Sequence, residues 1–268
     1  MSLRAFLPVS LRLALRRIPA TIAWFFRAPP PRIAGGFEHT ICERASPLRR
    51  EKAVYAEAVQ RAKEHNVARV SGLLDGIVIP AGGTFSWHRT IGPPLASRGF
   101  RAGPELRNGA LDLGVGGGVC QASNLLYWLA VHAGLDVVER HRHSFDLFPD
   151  DGRDVPFGAG ATVLFPLRDL VLKNPHAFAV SLAFSVNAGR LRGAVTGAEL
   201  PAHRYALVER DARIERVGDA WWRFNRLERA TLDGEGRTIA VALLCENSAR
   251  LCYEPAIDPP TALLEAAS

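Results

Sequence analysis

The sequence predicts an α+β fold: a buried helix follows a glycine-rich loop and packs on a mainly antiparallel sheet, with a helical segment ahead of it. Three observations predict this. Residues 120–133 carry apolar side chains on nearly every face of a helical register, as a helix with no water-facing side does. Beyond Gly134 the apolar period changes to two, the alternation of strands. The 268 residues are 48% hydrophobic and 22% charged, a composition able to bury a large core. It excludes a mainly disordered or collagen-like chain, and 4 cysteines exclude a disulfide scaffold.

The elements follow in order. The apolar run Ile18 to Phe26, closed by Arg17 and Arg27, is far shorter than the ~20 residues that cross a bilayer. Arg27 and Pro29, Pro30 and Pro31 stand where a signal peptide would carry small residues for cleavage, so a cytoplasmic protein is expected. Cys42, Cys120, Cys245 and Cys252 form no C-x-x-C pair, which fits a reducing compartment. Leu7, Leu11, Leu15 and Ile18 recur at helical spacing beside Arg12 and Arg16, with Pro8 and Pro19 limiting the helix to roughly three turns. Residues 1–27 are therefore a candidate for peripheral contact with the inner face of a membrane; the alternatives are a helix packed on the body or a frayed basic arm.

Ser46-Pro47 reads as an N-cap and first helical position, opening a helix to about His65 with Leu48, Tyr55, Val59 and Ala62 on one face. Val67 to Leu74 reads as a short apolar segment leading to Ile77-Val78-Ile79, a turn at 80–83 and a strand at 84–87. After the buried helix, strands are expected at 137–141, 161–165, 169–173, 179–186 and 191–196, with strand-like pieces at 205–209 and 238–244. The organisation expected is a basic extension over 1–46, an α+β domain over 47–200 and a β-rich extension over 201–268 packed on it.

The net charge of +6 and pI near 9.5 at first suggest a polyanionic partner. Residues 1–50 hold nine arginines against two glutamates, leaving 24 basic and 25 acidic residues in the other 218. The body is electrically balanced and carries no zinc-finger or RNP-type pattern, so no nucleic-acid partner is expected.

Cys120 is the leading candidate for chemistry. It follows Gly116-Gly117-Gly118 at the first turn of a predicted helix, where unpaired N–H groups and the helix dipole favour a thiolate. A cysteine nucleophile also needs a base, and His141 and His143 share one face of a predicted strand at i, i+2. Asp154 could orient either imidazole. Backbone N–H groups at 119–121, with Gln121, would hold an oxyanion, and Gly116, Gly117, Gly118 and Ser123 complete the substrate-binding set. The order cysteine, histidine, aspartate is that of transglutaminase-like enzymes. Two other assignments remain open: a structural thiol beside glycines that allow tight packing, and a metal held by His141 and His143 with Asp146, Asp154 or Cys120. The preferred reading includes neither metal nor cofactor.

Ile79-Pro80, Gly83-Thr84-Phe85-Ser86-Trp87, Gly99-Phe100, the run Gly116 to Ser123 and Glu139-Arg140-His141-Arg142-His143-Ser144-Phe145 together resemble the VanW family. The resemblance runs from about 47 to 196 and continues weakly through Tyr253. It implies an association with the cell envelope and peptidoglycan precursors, since the family takes its name from an accessory product of B-type vancomycin-resistance clusters. Two departures stand out. Residues 149–160 insert a loop containing Asp154. Trp87-His88 stands where many relatives have Phe-Asn, which argues against His88 as a general catalytic residue.

Two functions are weighed. One is a cysteine-dependent acyl-transfer enzyme, hydrolase or transferase, acting on an amide in a small peptide-type substrate. The other is a non-enzymatic envelope-associated binding or accessory module with a structural Cys120. The sequence carries no signal of oligomeric state.

Overall fold

A computed structural model describes residues 9–49, 55–107, 110–142, 145–146 and 155–255. His143 and Asp154 lie outside the described residues.

The centre of the molecule is a four-stranded sheet. Strand β1 (His39–Pro47) pairs with β10 (Arg190–Gly197), β10 forms a hairpin with β9 (Val180–Asn187), and β2 (Val78–Ile79) closes the other side of β9. Every pairing in this sheet is antiparallel. Helix α2 (Glu57–Leu74) packs over β9, and helix α4 (Cys120–His132) packs over β1 and β10. A methyl group on Gly193 of β10 would stand 2.7 Å from the Leu129 side chain, so the missing side chain lets α4 approach the sheet closely. Leu126, Leu129, Ala130 and Val131 are fully buried there, as the all-round apolar pattern of the helix requires.

Smaller sheets frame this core. Strands β3 (Thr84–Ser86), β8 (Val171–Lys173) and β6 (Asp136–Glu139) form one in the order β3-β8-β6, and β4 (Ala102–Arg107) pairs with β5 (Ala110–Val115). Short helix α3 (Trp87–Ile91) follows β3 directly, with the Ser86 hydroxyl accepting from the Arg89 N–H at its start. Helix α1 (Val9–Phe25) precedes the core. Long strands β11 (Arg204–Val217), β12 (Ala220–Leu232) and β13 (Thr238–Leu251) form a meander, extended by β7 (Phe145–Asp146) alongside the end of β13. The β7–β13 pairing is parallel, unlike every other strand pairing among the described residues. The fold class read from sequence is the one observed.

The meander is tied to the core. Arg229 donates to the Leu135 carbonyl at 2.8 Å, Leu207 and Leu244 pack on core side chains, and buried Asp146 accepts from Arg223 at 3.1 Å. Asp146 therefore serves a junction between strands, which removes it from the metal set considered above.

Three local expectations fail. Ser46-Pro47 ends strand β1 instead of opening a helix: Pro47 lies opposite Arg190, and the Ser46 hydroxyl accepts from the Gln121 side chain at 2.9 Å. Proline is tolerated there because β1 is an edge strand. The helix begins ten residues later at Glu57, and Val67 to Leu74 belongs to it, with Val67, Val70 and Leu74 buried at i, i+3, i+7. Residues 161–165 form no strand; side chains of α4 and the His141 carbonyl take backbone groups of 161–163, and Leu164 bridges to Arg168. Strand β12 shows no clean alternation in sequence because Trp221 and Trp222, and Arg223, Arg226 and Arg229, fall on both of its faces.

Candidate functional site

The glycine run between β5 and α4 is first of all a packing device. Gly116 and Gly118 adopt φ of 87° and 91°, a left-handed conformation that side chains disfavour. Gly117 lies so close to Gly103 of β4 that a methyl group on it would fall 2.1 Å from the Gly103 carbonyl oxygen. Fully buried Asn66 of α2 clamps the two segments, donating to the Gly117 and Arg101 carbonyls and accepting from the Arg101 N–H, each at 2.9 Å. The space at Gly117, expected to belong to the substrate-binding set, is occupied by the protein's own chain.

Cys120 is the first residue of α4, as the sequence predicts, and its thiol is half-buried, 3.9 Å from the Val163 carbonyl oxygen. The helix start does not lower its pKa. Burial pushes the thiol above its ordinary value, Glu105 adds to the rise, and Arg168 opposes it. Desolvation of the charged sulfur outweighs a helix dipole that acts over the first turn only. The surrounding amides are largely committed. Val119 N–H donates to the Gly116 carbonyl at 3.4 Å and Gln121 N–H to the Gly118 carbonyl at 3.2 Å, which takes two of the three expected oxyanion donors. The Gln121 amide group points elsewhere, donating to Ser46 at 2.9 Å and the Pro47 carbonyl at 2.7 Å. Ser123 is fully buried and donates to the Ala161 carbonyl at 2.6 Å, a structural duty.

That last bond is part of a strap. Asn124 accepts from the Ala161 N–H at 2.9 Å, Thr162 N–H donates to the His141 carbonyl at 2.8 Å, and Cys120 meets Val163. Cys120 and His141 thus touch consecutive residues of one segment, which holds the first turn of α4 against the chain leaving β6.

The imidazole on that chain has a carboxylate partner two residues before it. His141 Nε2 lies 2.9 Å from Glu139 Oε1, and this hydrogen bond holds the Glu139 carboxyl below the usual carboxylate range. Glu139 Oε1 also accepts from the Asp169 N–H at 3.2 Å. Asp169 in turn accepts from the Ser86 hydroxyl at 2.5 Å and from the His88 N–H at 2.9 Å. The His88 ring leans towards Asp169, with Nδ1 3.8 Å from Oδ2, and its buried Nε2 has no partner among the described residues. Burial pushes the His88 imidazolium down against the pull of Asp169, favouring a neutral ring. The signal for Glu139 was present: it stands at i, i+2 from His141. Asp169 comes from the segment just before β8, thirty residues away in the chain, and gave none. Among the described residues no group of three or more His, Cys, Asp or Glu side chains is placed to hold a metal ion.

Chemically, the network offers two imidazoles, each beside a carboxylate, and the His141 backbone is bonded to the segment that also meets Cys120. A base oriented by a carboxylate is what a thiol held protonated needs in order to become a nucleophile.

Comparison with known proteins bears on the same stretch of chain. A family model described as "VanW like protein" matches residues 62–196, half of the chain. The chain is 27% identical over 195 residues to "Vancomycin B-type resistance protein VanW" of Enterococcus faecalis, covering 72% of this chain and 71% of that protein. It is 30% identical over 125 residues to "Uncharacterized protein YoaR" of Bacillus subtilis, covering 46% of this chain and 39% of that one. No solved structure matches it. The matched residues contain the glycine run, Cys120, the strap and the Glu139–His141 pair, and the chain belongs to the VanW-like family.

Proposed function

We propose that the protein is a cysteine-dependent acyl-transfer enzyme, a hydrolase or transferase, acting on an amide of a small peptide-type substrate of the cell envelope. The observation that carries this reading is the strap, on which Cys120 meets Val163 and the His141 carbonyl meets Thr162. In the reaction His141 takes the thiol proton as Cys120 Sγ attacks the substrate carbonyl. Glu139 orients the imidazole and balances its charge. The protonated imidazole then gives its proton to the departing amine, and water or an acceptor amine releases the acyl group. The raised thiol pKa makes the base indispensable, since little thiolate forms without one. The Enterococcus relative's name, a vancomycin B-type resistance protein, supports a setting in peptidoglycan metabolism. We place the protein in the cytoplasm, against the inner face of the membrane.

The test is turnover of peptidoglycan-type peptides by the full chain, followed by mass spectrometry. Cys120→Ala should abolish turnover, and Glu139→Gln should lower kcat about tenfold or more, with KM little changed. His141→Asn against His143→Asn identifies the base. A Cys120→Ala variant that keeps its turnover overturns the proposal.

A second reading, a non-enzymatic binding or accessory module, is favoured by the raised thiol pKa and by the glycine run's role in packing. It requires Cys120 to resist iodoacetamide between about pH 6 and 9 in the folded protein while the denatured chain reacts.

A further inference from the structure

We infer that helix α1 docks on an anionic lipid surface, keyed to the body by Trp24 and turning an apolar stripe towards the acyl boundary. Ile18, Ile22, Phe25 and Phe26 stand at i, i+4, i+7, i+8 and are 59%, 53%, 56% and 88% exposed. At 3.6 residues per turn Ile18, Ile22 and Phe25 share one side of α1 and Trp24 lies on the other, while Phe26 follows in the turn at the helix end. Trp24 is the side that meets the protein. Its indole N–H donates to the Arg89 carbonyl at 3.1 Å, and a methyl group on Gly92 would stand 2.2 Å from the ring, so Gly92 is its socket. The helix is therefore attached by its less apolar side, with its oily side outward. A helix that only covered the body would be turned the other way.

Charge identifies what the stripe meets. The first 37 residues contain Arg4, Arg12, Arg16, Arg17, Arg27 and Arg32, and no acidic residue. At the C-terminal end of α1, Arg27, Arg89 and Arg98 crowd round Trp24, with the Arg98 guanidinium 4.0 Å from its ring centroid. Burial and the neighbouring Arg89 push Arg27 down to about 10, with Asp169 the opposing charge. None of the three arginines forms an ion pair among the described residues. Apolar side chains bordered by arginines suit the boundary between acyl chains and anionic headgroups. A second copy would instead bring arginines against arginines. Among the described residues no helix is long and apolar enough to cross a membrane, so the contact lies in the surface plane.

The experiment is flotation of the full chain with phosphatidylcholine vesicles, with and without phosphatidylglycerol, at low and high salt. Binding should require phosphatidylglycerol and weaken with salt. Phe26→Asp and Ile22→Asp should each lower partition about tenfold or more, and Phe26→Trp should retain it. Cys120→Ala should float like the parent, which separates this inference from the catalytic one. Absence of binding to phosphatidylglycerol vesicles overturns it, as do Asp variants that bind like the parent. Self-association abolished by Phe26→Asp, without vesicle binding, overturns it in favour of a second copy.

Discussion

Helices α1 and α4 are both rich in apolar residues, and the fold uses them in opposite ways. Helix α4 buries Leu125, Leu126, Tyr127, Leu129, Ala130 and Val131 between sheets, so its first residue, Cys120, is fixed by the core itself. Helix α1 commits one aromatic ring to the body and leaves Ile18, Ile22 and Phe25 in water, with Phe26 exposed in the turn that follows. The difference teaches that apolar content alone does not mark a core helix. Only a helix that is apolar on all sides has no orientation left for function; one with a stripe can turn it outward.

Three measurements sharpen or break that contrast. Leu126→Ala in α4 removes a fully buried side chain and should cost about 3 kcal/mol in denaturant unfolding. A loss under about 1 kcal/mol would mean the helix is not the centre of the core. The next effect is pH-dependent. Burial pushes the Cys42 thiol, which faces the Leu129 carbonyl of α4 at 3.3 Å, up to about 12, and raises Cys120 as well. The unfolded chain ionises its thiols from about pH 8.5, so unfolding releases protons above that value. Stability from this source is complete below the unfolded pKa and falls as pH rises towards the folded one. Thermal melts should therefore decline above about pH 8.5, and less steeply in Cys42→Ala. The smallest effect is Ile22→Ala on exposed α1, which should shift stability by no more than about 0.5 kcal/mol. A larger shift would place the stripe against protein.

Much of the central fold was legible because its signals are local. The all-round apolar register located α4 to within a residue of its ends, and Gly134, at φ 73°, follows its cap. The period of two located β9 and β10. What was not legible depended on partners distant in sequence. Ser46-Pro47 carries a good helix-start pattern, yet β10 and Gln121 claim it for a strand. Residues 161–165 alternate like a strand, yet Ser123, Asn124 and His141 take their backbone groups first. In the site, Cys120 and His141 were legible from residue type and position. Glu139 was legible as well, at i, i+2 from His141, but Asp169 was not, because it arrives from elsewhere in the chain.

The sequence by itself determined the fold class, the buried helix, the position of Cys120 at its start and the family, because periodicity and motif spacing are properties of adjacent residues. Only the tertiary structure decided the state of the thiol, the use of the glycines and the direction of the α1 stripe. Each depends on what folds against it. Burial raised a thiol that its helix position alone would have lowered, Gly103 took the space at Gly117, and Gly92 fixed which side of α1 meets the protein.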